Sequence, residues 1–288
     1  MTGGGAESGA GLLESRAGPI AGALGGLAAG SLGWGWFEAG WVRLEAFPLT
    51  LPGLAPELAG LRVAHLSDFH LGLPGRGRVA VERAVAWVEE RAPDLTLVSG
   101  DLLTRVSAEA NLRRLVARLP NCFAILGNHD LAISRDPFSQ RSFLQELEPA
   151  TLLSDEGVTF ELRGRRVYVA GADPRSVWVK SRRQPRDLAV SRDEADLRIL
   201  IIHYPDVVDD LPPDAFDLVV AGHMHDGQIC LPYPGGKLRL AHLHARYTHG
   251  VYRLPGGVLH VSAGLGTTFV PFRFFARPEA TELELSVA

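Results

Sequence analysis

Five short apolar runs in this sequence each end in side chains of the kind that bind metal ions. Aspartate, asparagine and histidine follow the runs, and none of these endings contains a cysteine. A single Asp or His after a strand is usually a cap or a turn residue, but five such endings in one chain are not expected by chance. They are VAHL before Ser67-Asp68-Phe69-His70, LTLVS before Gly100-Asp101, FAIL before Gly127-Asn128-His129-Asp130, RILII before His203 and LVVA before Gly222-His223-Met224-His225.

The chemistry of these side chains suits a site for two divalent ions. Two carboxylates, one amide and four imidazoles give seven ligands, and one bridging carboxylate would let them make four contacts to each metal. Such a set suits Mn²⁺, Fe²⁺ and Zn²⁺ better than Ca²⁺ or Mg²⁺, which prefer oxygen alone. The seven predicted ligands are Asp68, His70, Asp101, Asn128, His203, His223 and His225.

The elements that must position these residues can be read from the apolar pattern. Helical spacing predicts helices over 78–91 and 109–119 and a short helix over 138–147. Alternation around Arg163-Gly164 predicts a hairpin, and the runs that end in candidate ligands predict strands. Strand–helix repetition followed by more antiparallel pairing predicts a mixed-sheet α/β domain. In such domains sites form beyond the carboxyl ends of the strands, where the candidate ligands lie.

Composition limits the class of function. A chain of 288 residues with 46% hydrophobic and 22% charged residues is that of an ordinary globular protein. The net charge of −4 gives no electrostatic reason to expect nucleic acid as the main partner, so we predict no specific nucleic-acid binding. Two cysteines are too few for a disulfide framework or a cysteine-based zinc site.

The motifs SDFHLG, SGD, LGNHD, IIHYP and AGHMHDGQI resemble the successive motifs of the calcineurin-like metallophosphoesterase superfamily, in the same order and at similar separations. The C-terminal segment and the hydrophobic leader further resemble the bacterial YkuE-like branch. The resemblance covers residues 55–288. It implies an α/β fold built as a four-layer α-β-β-α sandwich, with two mixed β-sheets flanked by helices.

The resemblance also implies a role for each residue of the motifs. Asp101 would bridge two metal ions, His129 would face the scissile phosphate as a general acid, and Asp130 would hold its ring. Asp226 departs from the branch, which usually has glycine there; it would either alter the loop over the metals or add a carboxylate near them. Asp68, His70 and His225 would complete one metal site, and Asn128, His203 and His223 the other.

The predicted activity is metal-dependent hydrolysis of phosphomonoester, phosphodiester or pyrophosphate bonds. A hydroxide that bridges two divalent transition-metal ions would be the nucleophile, with His129 as the general acid. The substrate would be a phosphoester, a class that includes lipid-linked and nucleotide-sugar phosphates. The alternatives are a nuclease of the same superfamily and a catalytically silent scaffold with the same fold.

Several residues outside the motifs have plainer interpretations. His65 and His260, inside predicted strands, are expected to be buried. The histidines of LAHLHARYTHGVY are expected to flank the site without binding metal. The basic cluster 179–186 is either a solvated loop or a rim that binds an anionic substrate.

The segment 17–37 contains no charged residue and has about the ~20 residues that cross a bilayer. We expect it to be a membrane anchor, with Trp34 and Trp36 near one membrane surface. The alternatives are a cleaved export signal and a Gly/Ala leader without function. The Pro/Gly-rich stretch 47–61 is predicted to be a linker into the fold. The predicted organisation is residues 1–47 as leader and start of this linker, then residues 48–288 as the metallophosphoesterase domain. A chain that begins near Pro52 is therefore expected to keep the whole domain.

Overall fold

The structure is a computed structural model that describes residues 10–179 and 181–288. Residues 1–9 of the predicted leader and Lys180 of the basic cluster lie outside the described residues. The α-helices within these ranges are α1 (Ala10–Glu38), α2 (Gly77–Arg91) and α3 (Glu109–Val116). The helices predicted over 78–91 and 109–119 are thus confirmed as α2 and α3, with α3 ending earlier than expected.

The strands form two six-stranded sheets and a separate hairpin. The first sheet has the order β1-β14-β2-β3-β4-β5, the second has the order β12-β13-β9-β8-β7-β6, and β10 pairs with β11. The strands are β1 (Arg43–Leu51), β2 (Arg62–Leu66), β3 (Leu95–Val98), β4 (Cys122–Ala124), β5 (Thr151–Leu152), β6 (Glu156–Leu162), β7 (Arg165–Gly171), β8 (Leu197–Ile201), β9 (Leu218–Ala221), β10 (Cys230–Tyr233), β11 (Gly236–Arg239), β12 (Gly250–Leu254), β13 (Gly257–Val261) and β14 (Glu279–Val287).

Both sheets are mixed, and their central strands are parallel. Strands β2, β3, β4 and β5 run parallel in the first sheet, as do β7, β8, β9 and β13 in the second. The predicted hairpin around Arg163-Gly164 joins β6 to β7, and both turn residues have the positive φ that such tight turns require. Parallel strands place their carboxyl ends at one edge, so each sheet presents its following loops on one side.

The core lies on both faces of the central strands, which explains their continuous apolar runs. On the first sheet, Leu97 points to the space between the sheets, and Val98 points to the face covered by α2 and α3. On the second sheet, Ile199 meets the first sheet, and Leu200 packs beneath short 3₁₀ helices. Two packed mixed sheets, with α-helices on the outer face of the first and short 3₁₀ helices on the outer face of the second, confirm the predicted α/β fold.

Two local predictions differ from the structure. Residues 138–147 form irregular chain instead of a helix, because only scattered side chains there are buried and Phe143 is 78% exposed. A segment this short has too little buried face to offset the cost of helix nucleation. The stretch 47–61, expected to be a linker, contains most of β1, which pairs with β14 from Arg43↔Glu279 to Leu51↔Val287. The first sheet therefore includes residues on both sides of the predicted boundary at 47/48.

The end of α1 packs on the segment before β14. The backbone N–H of Ala276 donates to Oε1 of Glu38 at 2.8 Å, and that of Arg273 donates to the carbonyl of Gly35 at 3.0 Å. Farther from the sheets, Leu24 and Leu27 of the same helix are exposed. In the part of the chain that the structure describes, no helix combines the length and apolarity needed to cross a bilayer.

Candidate metal centre

The seven predicted ligands all lie on loops that follow parallel strands. Loops after β2, β3 and β4 supply four of them from the first sheet, and loops after β8 and β9 supply three from the second. The carboxyl edges of the two sheets therefore meet at one buried site. Six of the seven side chains are buried and His223 is partly exposed; the set is Asp68, His70, Asp101, Asn128, His203, His223 and His225.

The side chains fall into overlapping groups whose candidate ligand atoms lie within 4.8 Å of one another. One group contains Asp68, His70 and His225, and another contains Asp101, His203 and His223. A third joins His70, Asp101 and His129 between them. Asn128 belongs with the second group because its Oδ1 lies 2.7 Å from Nε2 of His203. The structure thus brings together the two ligand sets that the sequence predicts.

The distances within these groups fit ligands of a common ion. Nitrogen and oxygen ligands ~2.0–2.2 Å from an ion with tetrahedral to octahedral geometry are roughly 3.0–3.5 Å apart. The Nε2 atoms of His70 and His225 are 3.1 Å apart, and Nε2 of His225 is 3.4 Å from Oδ1 of Asp68. Two imidazole nitrogens that face each other in a buried site also need a cation or a shared proton between them. The donor set and its spacing therefore fit a divalent metal.

Asp101 lies between the two groups. Its Oδ2 is 3.3 Å from Nε2 of His203 and 3.5 Å from Nε2 of His70, which belong to different groups. Its Oδ1 accepts the backbone N–H of His129 at 2.8 Å, which fixes the carboxylate plane. This position is the one a bridging ligand would need.

Burial and charge prepare the site for cations. Burial lowers the pKa of His70 to about 3 and holds the pKa values of His223 and His225 well below the ordinary range, so these rings are neutral and able to bind metal. Burial, together with the negative charge of Asp101, also raises the pKa of the Asp68 carboxyl to about 6, although His203 and the hydrogen bond from Ser67 oppose this shift. A divalent cation would stabilise the ionised carboxylate.

Asp101 and His203 form an ion pair at this site. Burial opposes ionisation of Asp101, but the surrounding histidines, His203 first, hold its pKa well below the ordinary value. In the same pair, burial opposes protonation of His203, but Asp101 raises its pKa to about 9.

Hydrogen bonds on the far side of the ligands fix their orientation. Nδ1 of His203 lies 2.8 Å from the carbonyl of Ser99, and Nδ1 of His70 lies 3.0 Å from Oγ1 of Thr104, so both Nε2 atoms face the centre. Such outer partners commonly set ligand orientation and metal affinity.

A chain of buried hydrogen bonds holds Asp68. Oδ2 of Asp68 accepts from Oγ of Ser67 at 2.5 Å, Ser67 accepts from Ser99 at 2.8 Å, and Ser99 lies 2.9 Å from Nε2 of His65. Nδ1 of His65 lies 2.7 Å from Nδ1 of His260. The two strand histidines are buried as expected, and they link the second sheet to a ligand of the first.

The ligand loops require unusual backbone geometry. Five of the seven predicted ligands have positive φ, a conformation that costs roughly 1–3 kcal/mol for a residue with a side chain. A Cβ on Gly127 would lie 2.1 Å from Oδ1 of Asp101, and one on Gly222 would lie 1.9 Å from Oγ of Ser67. Each glycine therefore permits close approach of the loop to a carboxylate site. The five ligands with positive φ are Asp68, His70, Asp101, His223 and His225.

Asp130 has a different position from the one the resemblance implied. Its carboxylate accepts three backbone N–H groups, those of Leu102 at 3.0 Å, Leu103 at 2.7 Å and Gly127 at 2.8 Å. It therefore joins the loops after β3 and β4 and does not hold the ring of His129, which corrects the orienting role expected of it. Burial raises the pKa of Asp130 to about 7, and these backbone donors favour its ionised form.

Hydroxyl groups surround the ring of His129 instead. Its Nε2 lies 2.9 Å from Oγ of Ser134 and 3.4 Å from Oγ1 of Thr268. The same nitrogen is 4.0 Å from Oδ2 of Asp101, so it faces the metal ligands. Asp136 fixes the position of Thr268, because its Oδ2 accepts from Oγ1 of Thr268 at 2.9 Å and from the backbone N–H of Phe269 at 2.9 Å.

A cleft of about 380 Å³ opens over the ligands. Its walls combine ligands with aromatic, hydroxyl and cationic side chains from seven separate loops. The residues that line it are Asp101, Asn128, His129, Ile133, Ser134, Arg135, Trp178, Tyr204, His223, His225, His242, Thr268 and Phe269.

Asp226, the departure from the branch, does not line this cleft. Its buried carboxylate pairs with Lys237 and lies 3.0 Å from Nε of Arg239, and both cations come from β11. Lys237 also donates to the carbonyl of Phe275 at 2.9 Å. The carboxylate thus fastens the β10–β11 hairpin to the loop that carries His225.

Several supporting residues could not be found from the sequence. Ser67, Ser99 and Ser134 are common residue types in turns, and only their distances to Asp68 or His129 reveal their roles. Arg273 is fully buried, and its Nη2 lies 3.2 Å from Nδ1 of His225. A lone arginine beside the aromatic run in VPFRFF gave no sign of this contact.

The described part of the basic cluster is engaged in local contacts. Arg182 pairs with Asp155 and Asp173, and Arg183 donates to the carbonyl of Asp187. Of the three later histidines, His242 lines the cleft, and His249 lies 2.8 Å from Oε2 of Glu279. The cluster behaves more like a structured loop than like a free cationic rim.

Comparison with known proteins identifies the same family as the sequence motifs do. A family model described as calcineurin-like phosphoesterase matches residues 61–227. The chain is 26% identical to the uncharacterized metallophosphoesterase YkuE of Bacillus subtilis, over 92% of this chain and 96% of that protein. It is 25% identical to the phosphodiesterase YaeI of Escherichia coli, over 87% and 89% of the two chains. It is also 25% identical to the UDP-2,3-diacylglucosamine pyrophosphatase LpxG of Chlamydia muridarum, over 88% and 93%.

Proposed function

The chain belongs to the calcineurin-like phosphoesterase family and is a phosphoester hydrolase, and we propose that it uses two divalent transition-metal ions to hydrolyse phosphomonoester, phosphodiester or pyrophosphate bonds. The observation that carries this proposal is the position of Asp101 between two buried His/Asp groups. Names of relatives add support, since one is a phosphodiesterase and another a pyrophosphatase.

The predicted ligands would form two metal sites that share Asp101. Asp68, His70 and His225 would hold one ion, and Asn128, His203 and His223 the other, with Asp101 shared. When bound, Mn²⁺, Fe²⁺ or Zn²⁺ ions would supply a water activated at neutral pH and polarise the phosphoryl oxygens.

His129 would donate a proton to the leaving oxygen. Its Nε2 faces the cleft, where the hydroxyls of Ser134 and Thr268 hold the ring in place. A positioned general acid typically contributes ~10²–10⁴ in rate. Asp130 would support this step indirectly, because it fixes the loop that carries His129.

Reconstitution of the metal-free protein tests the proposal. The full chain, stripped by a chelator, is given Mn²⁺, Fe²⁺ or Zn²⁺ and assayed with p-nitrophenyl phosphate, bis(p-nitrophenyl) phosphate and UDP-glucose. We expect hydrolysis of at least one substrate with added metal, and its loss in Asp101→Asn. No hydrolysis under any condition, or hydrolysis that survives both the chelator and the substitution, would overturn the proposal.

We also propose that residues 17–37 associate with a membrane and that the substrate includes lipid-linked or nucleotide-sugar phosphates. The absence of charge across this segment and the exposure of Leu24, Leu27 and Trp34 support the membrane part. The name of LpxG, which refers to a UDP-linked and acylated sugar, supports the substrate part.

A further inference from the structure

The cleft contains a cation that the metal ligands and the general acid do not use. Arg135 lines the cleft and is exposed to solvent. Among the described residues, its guanidinium forms no hydrogen bond and no ion pair. A guanidinium in such a position can make two charge-assisted hydrogen bonds to a phosphate.

Arginines on either side of Trp178 in the sequence are already paired. Arg175 and Arg182 both contact the carboxylate of Asp173, and Arg182 also contacts Asp155. Asp136, the acidic neighbour of Arg135 in sequence, is engaged with Thr268 and the backbone of Phe269. Among the described residues that line the cleft, Arg135 is the one permanently charged cation.

Arg135 lines the same cleft as His129, the proposed general acid. Ser134, the preceding residue, lies 2.9 Å from Nε2 of His129. In the proposed reaction His129 protonates the leaving oxygen, so the leaving group departs toward this part of the cleft. A cation there would contact the leaving group rather than the phosphoryl group held by the metals.

We infer that Arg135 binds a phosphate carried by the leaving group, so that the preferred substrate class is a diphosphate diester. This inference rests on the proposed function and narrows it from three bond types to the pyrophosphate bond. The phosphate bound by the metals would be attacked, and the second phosphate would be held by Arg135.

The step would consume one water molecule for each diphosphate bond that is cleaved. Oxygen from water bonds to the scissile phosphorus, and the bond from that phosphorus to the bridging oxygen breaks with its electron pair on the departing phosphate. His129 supplies a proton to that oxygen and later regains one from solvent. The products are two phosphate monoesters, and Arg135 offsets negative charge on the departing one.

Trp178 and Tyr204, which also line the cleft, suit the organic part of such a substrate. Trp178 is 60% exposed, and its ring packs edge-on against Tyr204 with centroids 5.1 Å apart. Tyr204 in turn packs against His223 at 4.6 Å, which fixes the aromatic pair beside the ligands. An exposed, positioned indole offers a planar apolar surface to a base or a sugar.

Matched substrates test the inference in the metal-loaded full chain. UDP-glucose and the p-nitrophenyl ester of UMP share a uridylyl group, but only UDP-glucose has a leaving group that contains phosphate. We expect Arg135→Met to lower kcat/KM for UDP-glucose about 10- to 100-fold more than for the nitrophenyl ester, as for loss of a charge-assisted hydrogen bond. Arg135→Lys should recover part of the lost kcat/KM for UDP-glucose, because lysine restores the positive charge but not the two parallel N–H donors of the guanidinium.

Inhibition supplies a second measurement that does not require UDP-glucose to be a good substrate. With free metal held constant, UDP and UMP compete with the nitrophenyl ester, and Arg135→Met should raise Ki for UDP about tenfold more than Ki for UMP. Arg141→Met is the control, since Arg141 lies outside the cleft over the ring of Phe143. Arg141→Met should change neither the ratio of kcat/KM between UDP-glucose and the nitrophenyl ester nor the ratio of Ki between UDP and UMP.

The outcomes separate this inference from the proposed function. If the wild-type protein hydrolyses the nitrophenyl ester with metal, the proposed function holds. The inference is then overturned if UDP binds no more tightly than UMP, or if Arg135→Met affects both members of each pair equally. If no ester is hydrolysed with any metal, the proposed function itself fails.

Discussion

The backbone N–H of His129 donates to Oδ1 of Asp101 at 2.8 Å, while Nε2 of its ring lies 4.0 Å from Oδ2. The backbone of His129 is thus tied to the carboxylate of Asp101, and Nε2 of its ring faces the cleft. The neighbouring Asn128 instead directs its side chain to within 2.7 Å of Nε2 of His203. Two consecutive residues therefore approach the centre in different ways, and their loss should have different effects.

Substitution of these neighbours separates the ligand from the acid. Asn128→Ala should lower metal content, and excess metal should restore part of the activity because mass action refills a weakened site. His129→Ala should keep metal content near wild type while turnover falls by ~10²–10⁴. The loss should be smaller for an aryl phosphodiester than for an alkyl one, whose leaving oxygen needs the proton more. Loss of metal from His129→Ala would instead make it a ligand, an outcome its proximity to His70 and Asp101 allows for.

The role of Asp226 can be tested through stability. Asp226→Asn removes the charge that faces Lys237 and Arg239, so the free energy of unfolding should fall by about 1–3 kcal/mol. Metal content should stay unchanged, because the carboxylate points to the hairpin. Asp209→Asn is the control; its pair with Arg246 is exposed, and its loss should cost less than about 1 kcal/mol. Unchanged stability together with lost metal would place Asp226 at the metals instead.

Glu279 should make stability depend on pH at the acidic end. Although burial opposes its ionisation, His249 and Arg43 lower its pKa to about 2 from an ordinary 4.5. The ionised form therefore stabilises the fold above pH 4.5, and this contribution, about 3 kcal/mol, is lost as the pH falls toward 2. Denaturant unfolding of Glu279→Gln should show a deficit at pH 7 that shrinks below pH 4.5.

A matched control is available for this measurement. Glu45 contacts the same Arg43, but its side chain is 42% exposed. Glu45→Gln should therefore change stability little at any pH. A constant deficit for Glu279→Gln from neutral to acidic pH would show that its charge is not the source of the stability.

The leader can be tested with two shortened chains. The full chain should fractionate with membranes, and a chain beginning at Gly33 should be soluble, because it keeps the contacts of Gly35 and Glu38 and all of β1. A chain beginning at Pro52 should fail to fold, since it loses β1 and leaves β14 as an open edge. An uncleaved full chain found entirely in the soluble fraction would contradict the membrane proposal.

Much of the site could be predicted because the ligands sit in local patterns. Each follows an apolar run, and parallel strands of one sheet bring such endings to one edge, so Asp68 and Asp101, which follow the neighbouring strands β2 and β3, are expected together without knowledge of the register. Long-range pairing is not encoded locally in this way. The pairing of Arg43 with Glu279 joins residues far apart in the chain, and the Pro/Gly-rich stretch 47–61, which contains the second half of β1, is typical of a linker.

The role of Asp130 shows a second limit. An Asp after a His can hold the ring or can accept backbone N–H groups, and the two cases have the same sequence. Which one forms depends on how close the loops after β3 and β4 approach, and here they present Leu102, Leu103 and Gly127 to the carboxylate. The hydroxyls that hold His129 come from Ser134 and from Thr268, which is far away in sequence.

Metal stoichiometry of the Asp101→Ala and Asp68→Ala proteins tests the central claim most directly. Metal-free proteins are dialysed against Mn²⁺ or Zn²⁺ and analysed for metal per chain. If Asp101 is a ligand in both groups, the wild type should bind two ions per chain. Asp101→Ala should then lower the occupancy of both sites, whereas Asp68→Ala should lose mainly one ion. A wild type that binds no more than one ion, or an Asp101→Ala protein with unchanged metal, would contradict a two-metal site bridged by Asp101.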